Sequence, residues 1–325
     1  MTLNPFASTK PKKSLQYYIF WLISYILAPI VTPIRIFLLL IIVSLSHVIM
    51  SRLIKSVNLQ KPLSPLRTTI TRFLTINLTR GFLWSMGVKI VQKNIQKRPT
   101  YSSDFALVSN HNSSLDPLVL QVVGACSFVS KSEVGRSPVF GLFAKANQCI
   151  FIDRSDKNSG KTVQEKLIQR VAGDVQLAGY PRKFQMITVF PEGTCNSGTA
   201  VLPFKTGVFN AKKPVQLCII RWDKRYSCLS DSGQSMTKVL FNLILGIRQI
   251  VEINWLGEYI PGVDEIEDSA IYAENVREIF VVQMGVPKTA FGIKERYWYL
   301  GKKKDYQECS SEWQSAFPES SQLKK

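Results

Sequence analysis

One histidine and one aspartate, five positions apart, have the chemistry to manage a proton. They lie in Ser109-Asn110-His111-Asn112-Ser113-Ser114-Leu115-Asp116-Pro117, between an apolar stretch that reads as a strand and one that reads as a helix. Ser113 or Ser114 suits the cap of that helix, and Pro117 falls in its first turn, where a missing N–H costs little. His111 then ends a strand, with Asp116 one turn into the helix and able to fold back toward the ring. A carboxylate on one ring nitrogen fixes the tautomer and leaves the other free to take a proton, the requirement for deprotonating an alcohol. The plainer reading is a turn histidine held by local hydrogen bonds, and spacing alone does not choose between them. The second histidine, His47, lies inside a long apolar run.

Three further stretches bring polar groups to predicted strand ends. Phe190-Pro191-Glu192-Gly193-Thr194 follows the strand-like Met186–Phe190. It offers a carboxylate, a hydroxyl and turn N–H groups that could orient a hydroxyl or a phosphate. Cys149-Ile150-Phe151-Ile152-Asp153-Arg154 ends in an arginine able to grip a phosphate with two nitrogens. Pro203-Phe204-Lys205-Thr206-Gly207 adds Lys205. Singly, each has an ordinary alternative: a tight turn, a surface ion pair, a solvated lysine. The six cysteines (Cys126, Cys149, Cys195, Cys218, Cys228 and Cys309) show no CxxC spacing. Neither a disulfide framework nor a metal site is expected, and free thiols are the simpler reading.

The elements that must position these groups read as an α/β pattern. Strands are predicted at Phe105–Val108, Ser127–Ser130, Cys149–Asp153, Met186–Phe190, Val215–Arg221 and Val251–Gly257. Helices are predicted at Ser113–Val122, Pro138–Ala146, Lys161–Ala178, Met236–Gln249 and Ser269–Gly285. Such alternation implies a single catalytic domain with a mixed, largely parallel sheet flanked by helices. Residues 68–91 read as an amphipathic helix or a pair of them, either lying in a bilayer interface or packed on the domain.

Charge is unevenly placed. Lysine and arginine total 41 against 23 acidic residues, a net charge of +18. Residues 1–100 hold 14 of the basic residues and no acidic one; the first carboxylate is Asp104. Basic segments beside apolar ones suit an anionic membrane surface, at ~1 kcal/mol per Lys or Arg close to it. Nucleic acid is the other usual partner of such charge, and it is not expected here because the charges flank an apolar run.

That run, from Leu15 to Met50, is interrupted by Pro29, Pro33 and Arg35. The arms Leu15–Ala28 and Ile36–Ile49 each reach ~21 Å as helix, short of the ~30 Å hydrocarbon core. The pattern predicts a membrane-embedded helical hairpin, with basic residues at both ends on the cytosolic side; a single tilted span is the alternative. The layout is thus a basic segment (1–13), an anchor (14–51), a basic amphipathic helical region (52–100), a catalytic domain (101–298) and a loosely ordered polar tail (299–325).

Taken together and in this order, the blocks HNSSLD, IFIDRSD, FPEGTCNSG and KPVQLCIIR resemble the glycerolipid acyltransferase superfamily that includes 1-acylglycerol-3-phosphate acyltransferases. The stretches SKSEVGRSPVFGLFAKANQCIFIDRSD, LPFKTGVFNAKKPV and AIYAENVREIF are similar to lysophosphatidylcholine and lysophosphatidylethanolamine acyltransferases. The resemblance implies His111 as general base, Asp116 as its orienting partner, and Arg154, Glu192 and Gly193 as acceptor-binding residues with Thr194 in support. Lys205 is a candidate for a phosphate. Acyl-CoA is the implied co-substrate and a lysophospholipid the acceptor, at a bilayer, with an endoplasmic-reticulum location and a site facing the cytosol. No cofactor, metal or covalent acyl-enzyme is required. A lysophosphatidate acceptor is the alternative, as is a catalytically silent membrane-surface binding protein of the same fold. One departure is the lack of a DxDxDG calcium loop, which longer members carry.

Overall fold

The apolar runs beyond residue 105 fold into strands with helices between them, as their alternation predicts. The computed structural model describes residues 4–55, 57–58, 61–99, 105–124, 127–138, 140–153, 159–171, 184–230, 236–301 and 310–317. The strands are β1 (Val88–Lys93), β2 (Ala106–Ser109), β3 (Ser127–Lys131), β4 (Ile150–Ile152), β5 (Ile187–Val189), β6 (Val215–Trp222) and β7 (Gln249–Tyr259). The helices are α1 (Leu15–Ile54), α2 (Pro65–Ser85), α3 (Asp116–Val122), α4 (Ser132–Arg136), α5 (Phe140–Ala146), α6 (Ser159–Val171), α7 (Met236–Leu245), α8 (Val263–Glu267), α9 (Ser269–Met284), α10 (Ile293–Tyr299) and α11 (Ser311–Ala316).

The strands form one sheet in the order β1-β7-β6-β2-β5-β3-β4. Only β6 and β7 pair antiparallel; the other neighbours are parallel, so the sheet is mixed and mostly parallel. All four residues of β2 are buried, as a central strand covered on both faces requires. Alternate side chains feed two cores. Leu107, Cys218 and Ile220 pack with Val119 and Leu120 of α3 and Val239 and Leu243 of α7 on one face. Ala106, Val108, Leu217 and Ile219 pack with Val163 and Leu167 of α6 and Val276 and Phe280 of α9 on the other.

Register delivers the site. In the parallel pair β2–β5, Val108 stands beside Val189. Three residues beyond each are His111 and Glu192, so two loops that leave the sheet side by side carry them to the same edge.

The N-terminal run corrects an expectation. It is not a hairpin but one continuous helix of 40 residues, with Pro29 and Pro33 inside it. A proline there removes an N–H donor and crowds the preceding turn, yet contacts on either side pin both halves to the domain. Trp21 donates its indole N–H to Tyr226 O at 3.0 Å, and Phe20 stacks on Tyr226. Arg35 directs Nη1 at the carbonyls of Ile244 and Gly246 (2.8 and 2.7 Å) and, more weakly, Leu243, and Nη2 at Ile247 O (2.8 Å). These carbonyls end α7, where a helix leaves acceptors unpaired and partial negative charge. The charge that broke the apolar pattern therefore meets carbonyls of its own protein rather than water.

Arg35→Ala strands these carbonyls and is expected to cost about 3 kcal/mol or more. Thermal unfolding of purified protein checks it. Arg35→Lys, with one point donor in place of a fork, recovers only part of the loss.

Both N-terminal helices are inside out. On α1 the residues turned into the protein are Ser24, Arg35, Ser46 and Met50, whereas Ile26, Ile30, Phe37 and Leu40 face outward. On α2 the inward residues include Thr71, Thr75 and Thr79, one per turn, with Ser85, whereas Leu66, Phe73 and Trp84 face outward. Thr75 closes a buried ring of hydrogen bonds with Gln121 and Asn147.

Two smaller differences have local causes. The helix predicted over 68–91 ends at Ser85, and Val88–Lys93 is instead an edge strand parallel to β7. Gly87 makes the break: its φ is +72°, and a Cβ there would lie 2.5 Å from Arg35 Nη2 and 2.8 Å from Ile247 O. The tail, expected to be loose, holds α11, whose Trp313 is fully buried against Phe6 and Phe291.

Candidate active site

β2 ends at Ser109, but its pairing continues through a side chain. Asn110 mimics a peptide unit: Oδ1 accepts from Ile220 N (2.8 Å) and Nδ2 donates to Ile220 O (3.0 Å) on β6. That fixes the loop from which His111 projects.

Asp116 lies at the first residue of α3 rather than one turn into it, and it folds back over the loop. It is fully buried and accepts four hydrogen bonds, all from N–H groups. Oδ2 takes Asn112 N (2.7 Å), Ser113 N (2.8 Å) and His111 Nδ1 (3.0 Å); Oδ1 takes the indole of Trp222 (2.7 Å). A carboxylate so surrounded can only accept, so the proton of the shared hydrogen bond sits on Nδ1. Nε2 of a neutral ring then presents its lone pair, as a base requires. The ring stacks on Phe190, centroids 4.2 Å apart at 17°, and stays 17% exposed. It is therefore held in orientation yet reachable.

Nε2 faces the Cys195 sulfur at 3.2 Å. Burial alone would lower the affinity of the His111 ring for a proton. The neighbouring Cys195 and the hydrogen bond and charge of Asp116 outweigh it and hold the imidazole above its ordinary range.

Glu192 lies beneath the site. Oε1 accepts from His111 N at 3.0 Å, and Oε2 accepts from Leu202 N at 3.1 Å and from the Asn196 amide. Asn196 N in turn donates to His111 O at 3.0 Å. The carboxylate thus ties the FPEGT loop to the main chain of the histidine. Burial pushes the pKa of this carboxyl up to about 7, against the pull of the His111 and Leu202 N–H groups.

The sign of the pH effect follows. Between the unfolded value near 4.5 and about 7, the folded state keeps a proton that the unfolded chain has lost, so stability falls as pH rises through that window, by about 3 kcal/mol in all. Glu192→Gln has no such dependence, but it turns an amide NH₂ toward N–H donors. The variant is expected to be less stable than the parent at pH 5, with the gap narrowing toward pH 8. Melting curves at both pH values decide it.

Gly193 is at φ +66°, and the Lys205 side chain lies over it, with Cε 2.9 Å from where a Cβ would be. A larger residue would meet strain and steric conflict together. Lys205 is exposed, and its main chain donates to Pro191 O at 2.9 Å. The Thr194 hydroxyl accepts from Arg296 Nη1 of α10 at 2.8 Å.

The structure therefore brings His111, Asp116, Glu192, Gly193, Thr194 and Lys205 to one edge of the sheet; Arg154 lies outside the described residues. Sequence reasoning missed Cys195, Trp222, Phe190 and Arg296 as parts of this site. For Cys195 a signal existed, since it directly follows the FPEGT block. For Trp222 and Arg296, over a hundred residues from their partners, it did not.

Residues 88–220, from β1 through most of β6, match the family model described as Acyltransferase. That match, over less than half of the chain, makes the segment similar to the acyltransferase family. It is 28% identical over 288 residues to the mouse lysophospholipid acyltransferase LPCAT4, covering 88% of this chain and 53% of that protein. To Arabidopsis thaliana lysophospholipid acyltransferase LPEAT1 it is 32% identical over 196 residues, covering 60% and 48%. The chain spans about half the length of the curated relatives it matches. In fold it is similar to the 1-acyl-sn-glycerophosphate acyltransferase PlsC of Thermotoga maritima (TM-score 0.50, 16% identity, 83% of this chain and 97% of that one).

Proposed function

We propose that this chain is an acyl-CoA-dependent lysophospholipid O-acyltransferase working at a membrane surface. The observation that carries the reading is the bond from His111 Nδ1 to Asp116 Oδ2, 3.0 Å, in a ring that stays 17% exposed with its Nε2 3.2 Å from the Cys195 sulfur. Net transfer joins the acceptor oxygen to the acyl carbonyl carbon, breaks the thioester C–S bond and moves the hydroxyl proton to the departing CoA sulfur through Nε2. A positioned base of this kind contributes ~10²–10⁴-fold.

Lysophosphatidylcholine and lysophosphatidylethanolamine are the favoured acceptors. What supports a lysolipid acceptor is the naming of relatives as lysophospholipid acyltransferases, and what supports the choline lysolipid is the naming of the Drosophila melanogaster relative as a lysophosphatidylcholine acyltransferase. Lys205, whose side chain lies over Gly193, and Arg296, which donates to the Thr194 hydroxyl, would supply positive charge for the lipid phosphate.

The inside-out α1 and α2 support the membrane part. Helices with hydroxyls inward and isoleucine, leucine and phenylalanine outward are arranged for a hydrocarbon solvent. α1 contacts the domain from Phe20 to His47, so it runs along the protein rather than leaving it. It would lie with the domain against the bilayer, keeping lipid acceptors close. We assign the cytosolic face of the endoplasmic reticulum, the side on which acyl-CoA is made available.

The test is release of free CoA from oleoyl-CoA by the detergent-solubilised chain. Lysophosphatidylcholine, lysophosphatidylethanolamine, lysophosphatidate and glycerol 3-phosphate are offered separately. Turnover fastest with the choline or ethanolamine lysolipid is expected. Preference for lysophosphatidate would move the acceptor assignment, and no release with any acceptor would refute the enzyme.

A further inference from the structure

We infer that Lys224 and Asn112 form a phosphate-binding corner that holds the phosphate of the lysolipid acceptor. The inference rests on the acyltransferase reading above and adds a specificity-determining residue to it, Lys224, from the loop after β6.

That loop brings Lys224 to the loop after β5, where Nζ donates to Ser197 O at 2.6 Å. An ammonium group has three protons to give, so two are left over. No described carboxylate bridges to it. The one beside it in sequence, Asp223, is gripped by Arg225, with Nε at 2.9 Å and Nη2 at 2.7 Å from Oδ2. Lys224 is half-buried, and burial lowers its affinity for a proton. A charge kept partly from water without a counter-ion is costly, and a bound anion offsets that cost.

Asn112 supplies the second donor. It directly follows His111 and is only 7% exposed. Its Oδ1 accepts from the Asn110 amide, which fixes the orientation of the group. Nδ2 meets no acceptor among the described residues. Both nitrogens converge on Gly198: a Cβ there would lie 2.1 Å from Asn112 Nδ2 and 3.5 Å from Lys224 Nζ. Gly198 is at φ +71°, and its N–H donates to Asn196 Oδ1 at 2.6 Å. A side chain at this position would push the amide away. Two donors, one of them charged, that face the same spot with no acceptor between them are arranged for an anion.

The place of the corner selects the phosphate. Asn112 is one residue from the proposed base. In a 1-acyl lysolipid the reacting hydroxyl and the phosphate ester sit on adjacent glycerol carbons. In acyl-CoA the whole pantetheine arm separates the thioester from the diphosphate. A phosphate held beside His111 therefore belongs with the hydroxyl that gives up its proton there, and fixing one positions the other. Lys205 and Arg296 bring charge to the turn at Gly193 and Thr194; Lys224 adds charge from a different loop. A neutral monoacylglycerol offers the hydroxyl without the phosphate, so the corner discriminates against it.

The test uses the full-length protein in detergent and two readouts. Lys224→Gln keeps a donor for Ser197 O and removes the charge. It is expected to raise KM for lysophosphatidylcholine ~10-fold or more, with KM for oleoyl-CoA changed by less than about two-fold and an unchanged melting curve. A rise in KM for oleoyl-CoA instead assigns the phosphate to CoA and overturns the acceptor site. Loss of kcat with both KM values kept overturns phosphate binding altogether. The second readout needs neither a variant nor turnover, so a misfolded Lys224→Gln would not shield the proposal. Wild-type protein is treated with acetic anhydride, and acetylation of Lys224 is followed by mass spectrometry. Lysophosphatidylcholine is expected to slow it, whereas monooleoylglycerol at the same concentration should not. Equal protection by the two lipids, or none by either, overturns the corner even where the protein turns over. Protection by the phospholipid alone, in protein that releases no CoA with any acceptor, upholds the corner and refutes the enzyme.

Discussion

His111→Ala is expected to lower acyl transfer by ~10²–10⁴-fold while the protein still folds and still partitions to membranes. The ring carries the nitrogen proposed as base, and among the described side chains its polar partners are Asp116 and Cys195. Asp116→Asn provides the sharper comparison. Asn can offer its oxygen to the Asn112 and Ser113 N–H groups, but its NH₂ must then face the Trp222 indole, a second donor. Turned the other way, the amide donates toward Nδ1 and reverses the tautomer. The first orientation keeps the Nδ1 hydrogen bond but loses the carboxylate charge, the second reverses that bond, and each sets a donor against a donor at ~1–3 kcal/mol in stability. The variant should therefore lose activity comparably to His111→Ala and melt earlier as well. Initial-rate measurements with melting curves on both variants separate these effects. A His111→Ala protein with near-parental turnover removes the base.

The second large effect concerns the outer face of α1. Ile30 and Phe37, 66% and 64% exposed, and Leu40 are the places to add charge, because none supports the fold from within. An aspartate in hydrocarbon costs ~2.5–3.5 kcal/mol at depth. Three together, Ile30→Asp, Phe37→Asp and Leu40→Asp, are expected to weaken membrane partitioning by several orders of magnitude. Liposome flotation measures it directly. The same number of aspartates at exposed polar positions of α9 should leave flotation unchanged. Reduced turnover on bilayer-borne lysolipid with preserved turnover in detergent would show that the face serves delivery of substrate rather than chemistry. If the triple variant floats as the parent does, α1 is not the embedded surface.

Much of this architecture is legible in the amino-acid sequence. The strands beyond residue 105 and the helices α3, α5, α6, α7 and α9 follow from apolar runs of the right length between turn residues. That His111 and Glu192 share an edge also follows once β2 and β5 are neighbours in register, although their adjacency is a fact of the sheet order and not of the sequence. What escapes such reading depends on contacts between distant positions. Arg35 looks like an interruption of a membrane segment until the carbonyls ending α7 are placed around it. Prolines 29 and 33 argue for a bend, and local rules give no weight to the contacts at Trp21 and Arg35 that hold both halves to the domain. The strand β1 is hidden because its apolar residues continue those of α2, with only Gly87 marking the change of period. In the tail, composition masks the single tryptophan that fastens it to Phe6.

The measurement that bears most directly on the central claim is a product balance. Purified chain reconstituted in bilayers receives oleoyl-CoA and an isotopically labelled lysolipid, and free CoA and diacyl lipid are counted together. The account predicts that they appear one for one in wild type and that both vanish in His111→Ala. Release of CoA without diacyl lipid, or equal product from the two proteins, would contradict it.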